Sequence, residues 1–185
     1  MSTATGLMTW EEFLAIPDDG MEHDLIRGEL RTRSMTRRDR HHSRTEARIA
    51  YLLEQWLESQ SENRGLIVSG EAGFRLARNP DVGVGIDVAY VGADVANANE
   101  GSAYFEGPPI LAVEILSPSD TQEEIDEKIS LYLETGVPVI WVVNPRFKTV
   151  TVYRPDAKPE FYHEEKTIDA EPHLPGFRAV VKSFF

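Results

Sequence analysis

The chain has 185 residues, 41% of them hydrophobic and 27% charged, a net charge of −12 and no cysteine. That length and composition suit one domain over residues 1–185 with a sizeable core, and the missing cysteines exclude disulfides and thiolate metal centres and fit a reducing cytoplasm. No apolar run reaches the 18 residues of a membrane span, Met1 to Gly6 lack the basic and apolar regions of a secretory leader, and the acidic balance argues against a general nucleic-acid binder.

In chain order, Thr9-x-x-Glu12 is a capping box that opens a short helix carrying Trp10, Phe13 and Leu14, closed by Pro17. His23 to Arg31 reads as a hairpin turning at Arg27-Gly28. Residues 34–41 are polar and arginine-rich and predict a loop. A long helix is expected from Ser43 to Ser59, capped by Ser43-x-x-Glu46, with Ile49, Leu52, Leu53, Trp56 and Leu57 on one face and His42 just ahead of it. Leu66 to Leu76 predicts a strand containing Glu71, Asn79-Pro80-Asp81 a turn, Gly85 to Val91 a strand, and residues 92–107 a surface loop.

Ile110 to Leu116 is an apolar strand stopped by Ser117-Pro118. A helix follows, with Asp120-x-x-Glu123 as its cap, Ile125, Ile129, Tyr132 and Leu133 as its buried stripe, and Gly136 at its end. Val139 to Val143 is a fully apolar strand. The strand–helix–strand order predicts a parallel βαβ unit. Lys148 to Arg154 alternates and predicts the antiparallel partner after the Asn144-Pro145 turn, and the tail from Leu174 to Phe185 is expected to pack back through its aromatics. The fold class is therefore mixed α/β, a central sheet flanked by helices with an N-terminal helix and hairpin.

Two of these core strands carry an acid: Asp87 in Gly85-Ile86-Asp87-Val88-Ala89-Tyr90-Val91 and Glu114 in Ile110-Leu111-Ala112-Val113-Glu114-Ile115-Leu116. A buried carboxylate costs several kcal/mol unless it is paired, protonated or bound to a metal. Acids in core strands therefore point to a site of chemistry. Two such carboxylates from neighbouring strands can share a hard divalent cation, Mg²⁺ or Mn²⁺. The alternative is a pair of acids satisfied by arginine or backbone. A lysine two residues after Glu114 would share its face, but Leu116 stands there. Lys128 borders the buried stripe of the following helix and can send its ammonium toward the sheet; its plainer reading is an exposed i, i+4 partner of Glu124. Arginines recur from Arg27 to Arg48, interrupted by the acids Glu29, Asp39 and Glu46. They could grip a phosphodiester, or pair with nearby acids on a solvated surface.

The stretch Pro109 to Ser119, with Glu127-Lys128-Ile129-Ser130-Leu131-Tyr132, Gly136-Val137-Pro138 and Ile140-Trp141-Val142-Val143-Asn144-Pro145, resembles the Uma-type restriction endonuclease family of the PD-(D/E)xK phosphodiesterases. Asp24-Leu25-Ile26-Arg27-Gly28-Glu29-Leu30 and Leu174-Pro175-Gly176-Phe177 are similar too, so the likeness runs from Trp10 to Phe185. It implies a restriction-endonuclease-like core, Asp87 and Glu114 as metal ligands, Glu29 as an acid supplied by the N-terminal region, Lys128 as the catalytic lysine moved onto the helix, and His42 as a further site residue. The family's Pro-Asp is Ile86-Asp87 here, and its aromatic-Glu is His23-Asp24. Without the likeness, Glu29 reads as an edge acid paired with Arg27 or Arg31, and His42 as an ordinary helix residue. The function expected is a metal-dependent endonuclease acting on DNA, with a homodimer as the family's frequent state. The rival is a nuclease-like module without catalysis, binding nucleic acid or a protein, which the acidic balance and the missing strand lysine favour.

Overall fold

The computed structural model describes residues 6–34, 39–60 and 65–185. It opens with α1 (Trp10–Leu14), where Thr9 and Glu12 form the reciprocal capping box expected. Strands β1 (Met21–Ile26) and β2 (Glu29–Ser34) pair antiparallel about a two-residue turn. Both turn residues have positive φ, 50° at Arg27 and 78° at Gly28, the mirror-image geometry that matches strand twist and favours glycine.

Helix α2 runs Arg40–Glu58, three residues earlier than Ser43-x-x-Glu46 suggests. Its cap is Asp39, which accepts from the amides of His41 and His42 at 2.7 and 2.9 Å. His42 therefore sits inside the first turn, not ahead of the helix. Of the loop expected over 34–41, residues 35–38 lie outside the described residues, and Arg40 and His41 are helical.

Strand β3 (Leu66–Ala77) pairs antiparallel along β4 (Val82–Val91). The segment expected as a loop instead holds a short helix, α3 (Ala93–Ala98), and a two-residue strand, β5 (Phe105–Glu106), which pairs parallel with β3. Small, polar residues hid both: α3 buries none of its residues, so no apolar stripe marks it.

Strand β6 (Leu111–Ile115), α4 (Gln122–Glu134) and β7 (Val139–Asn144) form the parallel unit expected. The cap of α4 is Thr121, with Glu124 closing the box, one residue beyond the predicted Asp120. Asp120 instead accepts from the Ser117 amide and hydroxyl at 2.7 and 2.9 Å, bracing the turn after β6. Strands β8 (Thr149–Tyr153) and β9 (Glu160–His163) extend the sheet, whose order is β2-β1-β4-β6-β7-β8-β9 with β3 and β5 branching from β4. A separate hairpin of β10 (Thr167–Ala170) and β11 (Leu174–Val180) leads to a terminal 3₁₀ turn, Val181–Phe184.

Alternation along β6 decides which core each residue joins. Leu111, Val113 and Ile115 face α2 and the β10–β11 hairpin, together with Ile49, Leu53, Trp56, Trp141, Phe177 and Phe184. Ala112 faces α4, with Ile129, Leu131 and Tyr132, and Glu114 shares that direction. Each fully buried aliphatic or aromatic side chain contributes about 1.5–3 kcal/mol, so Ile49, Leu53, Trp56 and Leu57 anchor α2 on the sheet. Phe177 and Phe184 are buried, whereas Tyr51, Tyr104, Phe147 and Phe161 are exposed. Among the described residues no helix is long and apolar enough to cross a membrane.

Candidate active site

One edge of β4 is shared by two strands. β1 meets it at Gly83, paired with Leu25, and β6 meets it from Val88, paired with Val113. Between those contacts the edge from Val84 to Asp87 has no ladder partner, and buried backbone groups there must be satisfied otherwise. Side chains do it. The Gly85 amide donates to Asp24 Oδ1 at 3.3 Å, and Lys128 Nζ reaches the Gly85 carbonyl at 3.4 Å. Asp87 Oδ2 accepts from the Ile115 amide at 2.7 Å, taking the place of a backbone carbonyl. The gap in the ladder is thus the place where charged side chains converge.

The β4–β6 ladder stops at Val88 and Val113, and Asp87 and Glu114 are the next residues on the two strands beyond it. Both are buried, at 4% and 5% exposure. Glu114 Oε2 accepts from Lys128 Nζ at 2.9 Å, and Oε1 from the Tyr132 hydroxyl at 2.5 Å. On the α2 side, His42 Nε2 lies 3.3 Å from Asp87 Oδ1, and His42 Nδ1 lies 3.8 Å from Glu46 Oε2. His42, Glu46 and Asp87 can each offer a ligand atom within 4.8 Å of the others. Strand β3 bulges here: Gly70 and Glu71 together face Asp87, with φ of 83° and 59°. A glutamate in the left-handed region costs about 1–2 kcal/mol, and bulges often re-aim side chains beside reactive sites.

Burial presses on every group. It acts to raise the Asp87 pKa, but the His42 and Ile115 contacts and Lys128 outweigh it and hold Asp87 below the ordinary aspartate value. Glu114 is pushed up by burial and by the charge of Asp87, against the pull of Lys128 and Tyr132. Burial works to lower Lys128, yet Glu114 and Asp24 keep it above the ordinary lysine value, so the ammonium persists. Tyr132 is raised well beyond a normal phenol by burial and by Glu114, so it remains a donor.

Of the residues singled out in the sequence, Asp87, Glu114, Lys128 and His42 are brought together. Glu29 is not: it is exposed on β2 and paired with Arg31 at 2.9 Å. The arginine stretch divides. Arg27 pairs with Glu134, Arg31 with Glu29 and Glu127, and Arg33 with Asp24, so this half follows the reading of arginines tied to nearby acids. Glu71, with Asp24, Arg33 and Gly85, lines a cavity of about 300 Å³. Sequence reasoning missed Glu46, Asp24, Tyr132 and Gly85 as parts of the site. Glu46 was legible as the i+4 neighbour of His42 on one helix face. The alternation Gly83-x-Gly85 in a core strand marked a close approach; a Cβ on Gly85 would come 2.5 Å from Glu71 Oε2.

A forked mixed sheet with two core acids and a lysine from the following helix defines a restriction-endonuclease-like fold. A structure described as a putative nuclease belonging to DUF820, from Anabaena variabilis ATCC 29413, superposes with a TM-score of 0.78 at 20% identity, covering 96% of this chain and 97% of that one. The family described as Uma2, putative restriction endonuclease, matches residues 10–182, and the chain belongs to it. A search of curated proteins gives no match.

Proposed function

We propose that residues 1–185 form a single nuclease domain that hydrolyses DNA phosphodiester bonds endonucleolytically with Mg²⁺ or Mn²⁺. The observation that carries this is that two buried acids, Asp87 and Glu114, stand where the β4–β6 ladder stops, with Lys128 Nζ 2.9 Å from Glu114. The donor set fits such an ion: carboxylate oxygens are the ligands hard divalent cations take, and the adjoining imidazole of His42 is better tolerated by Mn²⁺. Asp87 and Glu114 would hold it, with Glu46 and His42 adjoining. Glu29, on the outer face of β2, falls outside that set. When bound, the ion would polarise a phosphoryl oxygen and lower the pKa of a coordinated water. The protein's own groups do the rest. His42 and the Ile115 amide fix the Asp87 carboxylate, Tyr132 fixes Glu114, and Lys128 supplies a permanent positive charge against the developing charge on phosphorus. The zero cysteine count supports a cytoplasmic setting, and the exposed aromatics offer surface for a homodimer.

The test is cleavage of supercoiled, linear duplex and single-stranded DNA with each ion, comparing wild type with Asp87→Ala and Glu114→Ala. Wild type should cut and both variants should lose at least about 100-fold while remaining folded. Failure of wild type to cut DNA with either ion refutes the catalytic reading. One observation favours the rival module without catalysis: both Glu114 oxygens already have partners inside the protein, so its burial is offset without an ion. Calorimetric titration with Mn²⁺ separates the two, since the module has no site that depends on Asp87 and Glu114.

A further inference from the structure

A second cavity, of about 1090 Å³, caps the carboxyl ends of β6 and β7 and is lined from both sheet faces. It exceeds the roughly 300–1,000 Å³ of a small-ligand pocket. Arg40 and Arg44 reach it from α2, Arg146 from the β7–β8 turn and Lys182 from the 3₁₀ turn. Among the described residues none of these four is ion-paired with an acid, unlike Arg27, Arg31, Arg33 and Arg75. Lys148 also lines it, joined at the surface to Glu164 at 3.2 Å. The acids present, Asp39 and Asp120, are turned to capping α2 and bracing the Ser117 turn. On a chain of net charge −12 such a gathering of unmatched cations is matched by a polyanion.

Phe147 stands at the rim, 70% exposed, between Arg146 and Lys148. The turn that carries it is held: Asn144 Oδ1 accepts from the Arg146 and Phe147 amides, each at 3.1 Å. The Arg146 guanidinium lies 5.8 Å from the ring centroid. A braced aromatic among cations offers a face for a base, worth about 1–3 kcal/mol per stacked base. A duplex keeps its bases stacked on one another and has no such face to offer. The lining stops one neighbour short of the acids: Val142 is the register partner of Glu114, and Ile125 lies three residues before Lys128 on α4.

We propose that this groove binds an unpaired DNA strand, its phosphates met by Arg40, Arg44, Arg146 and Lys182 and one base stacked on Phe147, and leads it to Asp87 and Glu114. This names the substrate form for the proposed nuclease and rests on that reading for its last step only. The experiment is fluorescence anisotropy with a labelled oligo-dT and a duplex of equal length, in EDTA so that no cutting intervenes, from about 50 to 200 mM salt. Oligo-dT should bind tighter than duplex. Phe147→Ala should weaken it roughly 5- to 150-fold with the salt slope unchanged. Arg40→Gln combined with Arg146→Gln should lower the slope by about 0.7 per lost phosphate contact. Equal affinity for duplex, a neutral Phe147→Ala, or an unchanged slope in the arginine variant each overturns the proposal. Cleavage is scored separately: Asp87-dependent cutting without groove binding sinks the groove alone, and groove binding without cutting sinks the nuclease alone.

Discussion

Replacing Lys128 with Met keeps most of the side-chain volume and removes the ammonium from Glu114 Oε2, leaving only the Tyr132 hydroxyl on that carboxyl. Breaking a buried ion pair on one side typically costs about 3–5 kcal/mol. Here the cost has a pH signature. With Lys128 gone, burial and the Asp87 charge, which already push Glu114 up, act with less opposition, and the carboxyl takes a proton in the folded state. The unfolded chain gives that proton up above the ordinary value of 4.5. A folded pKa above the unfolded one means that stability falls as pH rises from the unfolded value, by about 1.4 kcal/mol per pH unit. If the variant's carboxyl stays protonated throughout, its stability drops by a few kcal/mol, on the order of 3, between pH 4.5 and pH 7. Urea unfolding of wild type and Lys128→Met at pH 5, 6 and 7 measures this. The deficit should be small at pH 5 and widen toward pH 7, and adding Glu114→Gln to Lys128→Met should remove the widening. A deficit of the same size at all three values, or none, refutes the buried-pair argument.

Tyr132→Phe removes the hydroxyl from Glu114 Oε1; a hydrogen bond to a charged group is worth about 1.5–3 kcal/mol, which thermal unfolding should register as a drop of roughly 3–12 °C for a chain of this size. Asp81→Ala leaves the buried Arg75 guanidinium, now 2.7 Å from Asp81 Oδ1, with only the partly exposed Glu106 at 3.5 Å, and removes the acceptor 2.9 Å from the Trp10 amide; a loss of about 2–4 kcal/mol in urea unfolding is expected.

The sequence and the structure agree wherever the signal was apolar periodicity. The α2 face, the two acid-bearing strands and the βαβ unit were legible because alternation and 3.6-residue spacing survive folding unchanged. The helix starts were displaced because several capping residues stood side by side. Asp39 precedes Ser43, and Thr121 follows Asp120, and only the backbone's actual path decides which oxygen meets an amide. Lys128 was readable as bordering the α4 stripe, but its contact with Glu114 depends on β6 turning Glu114 toward α4. Glu29 and Asp24 lie on one hairpin, and sequence alone gave no reason to prefer Asp24. Hairpin register decides it: Asp24 stands on β1 beside β4, while Glu29 stands on β2 at the sheet's outer edge.

Charge placement is where linear reading misleads most. Among the described residues, the arginines of the run from Arg27 to Arg48 separate in space: Arg27, Arg31 and Arg33 lie on the hairpin, Arg40 and Arg44 on α2, and Arg48 donates to the Ser183 carbonyl. Those on the hairpin are matched by Glu134, Glu29, Glu127 and Asp24 and add little positive field. Arg40 and Arg44 turn instead into the large groove, where Arg146 and Lys182 join them from more than a hundred residues downstream. The net charge of −12 is therefore no obstacle to a polyanion. An acidic surface around a basic groove repels it everywhere except where the unmatched cations lie, and confines the encounter to that rim. The same surroundings keep the attraction local and weak. Among cations exposed to solvent, with a screening length of about 8 Å at physiological ionic strength, affinity should come as much from the Phe147 ring as from charge.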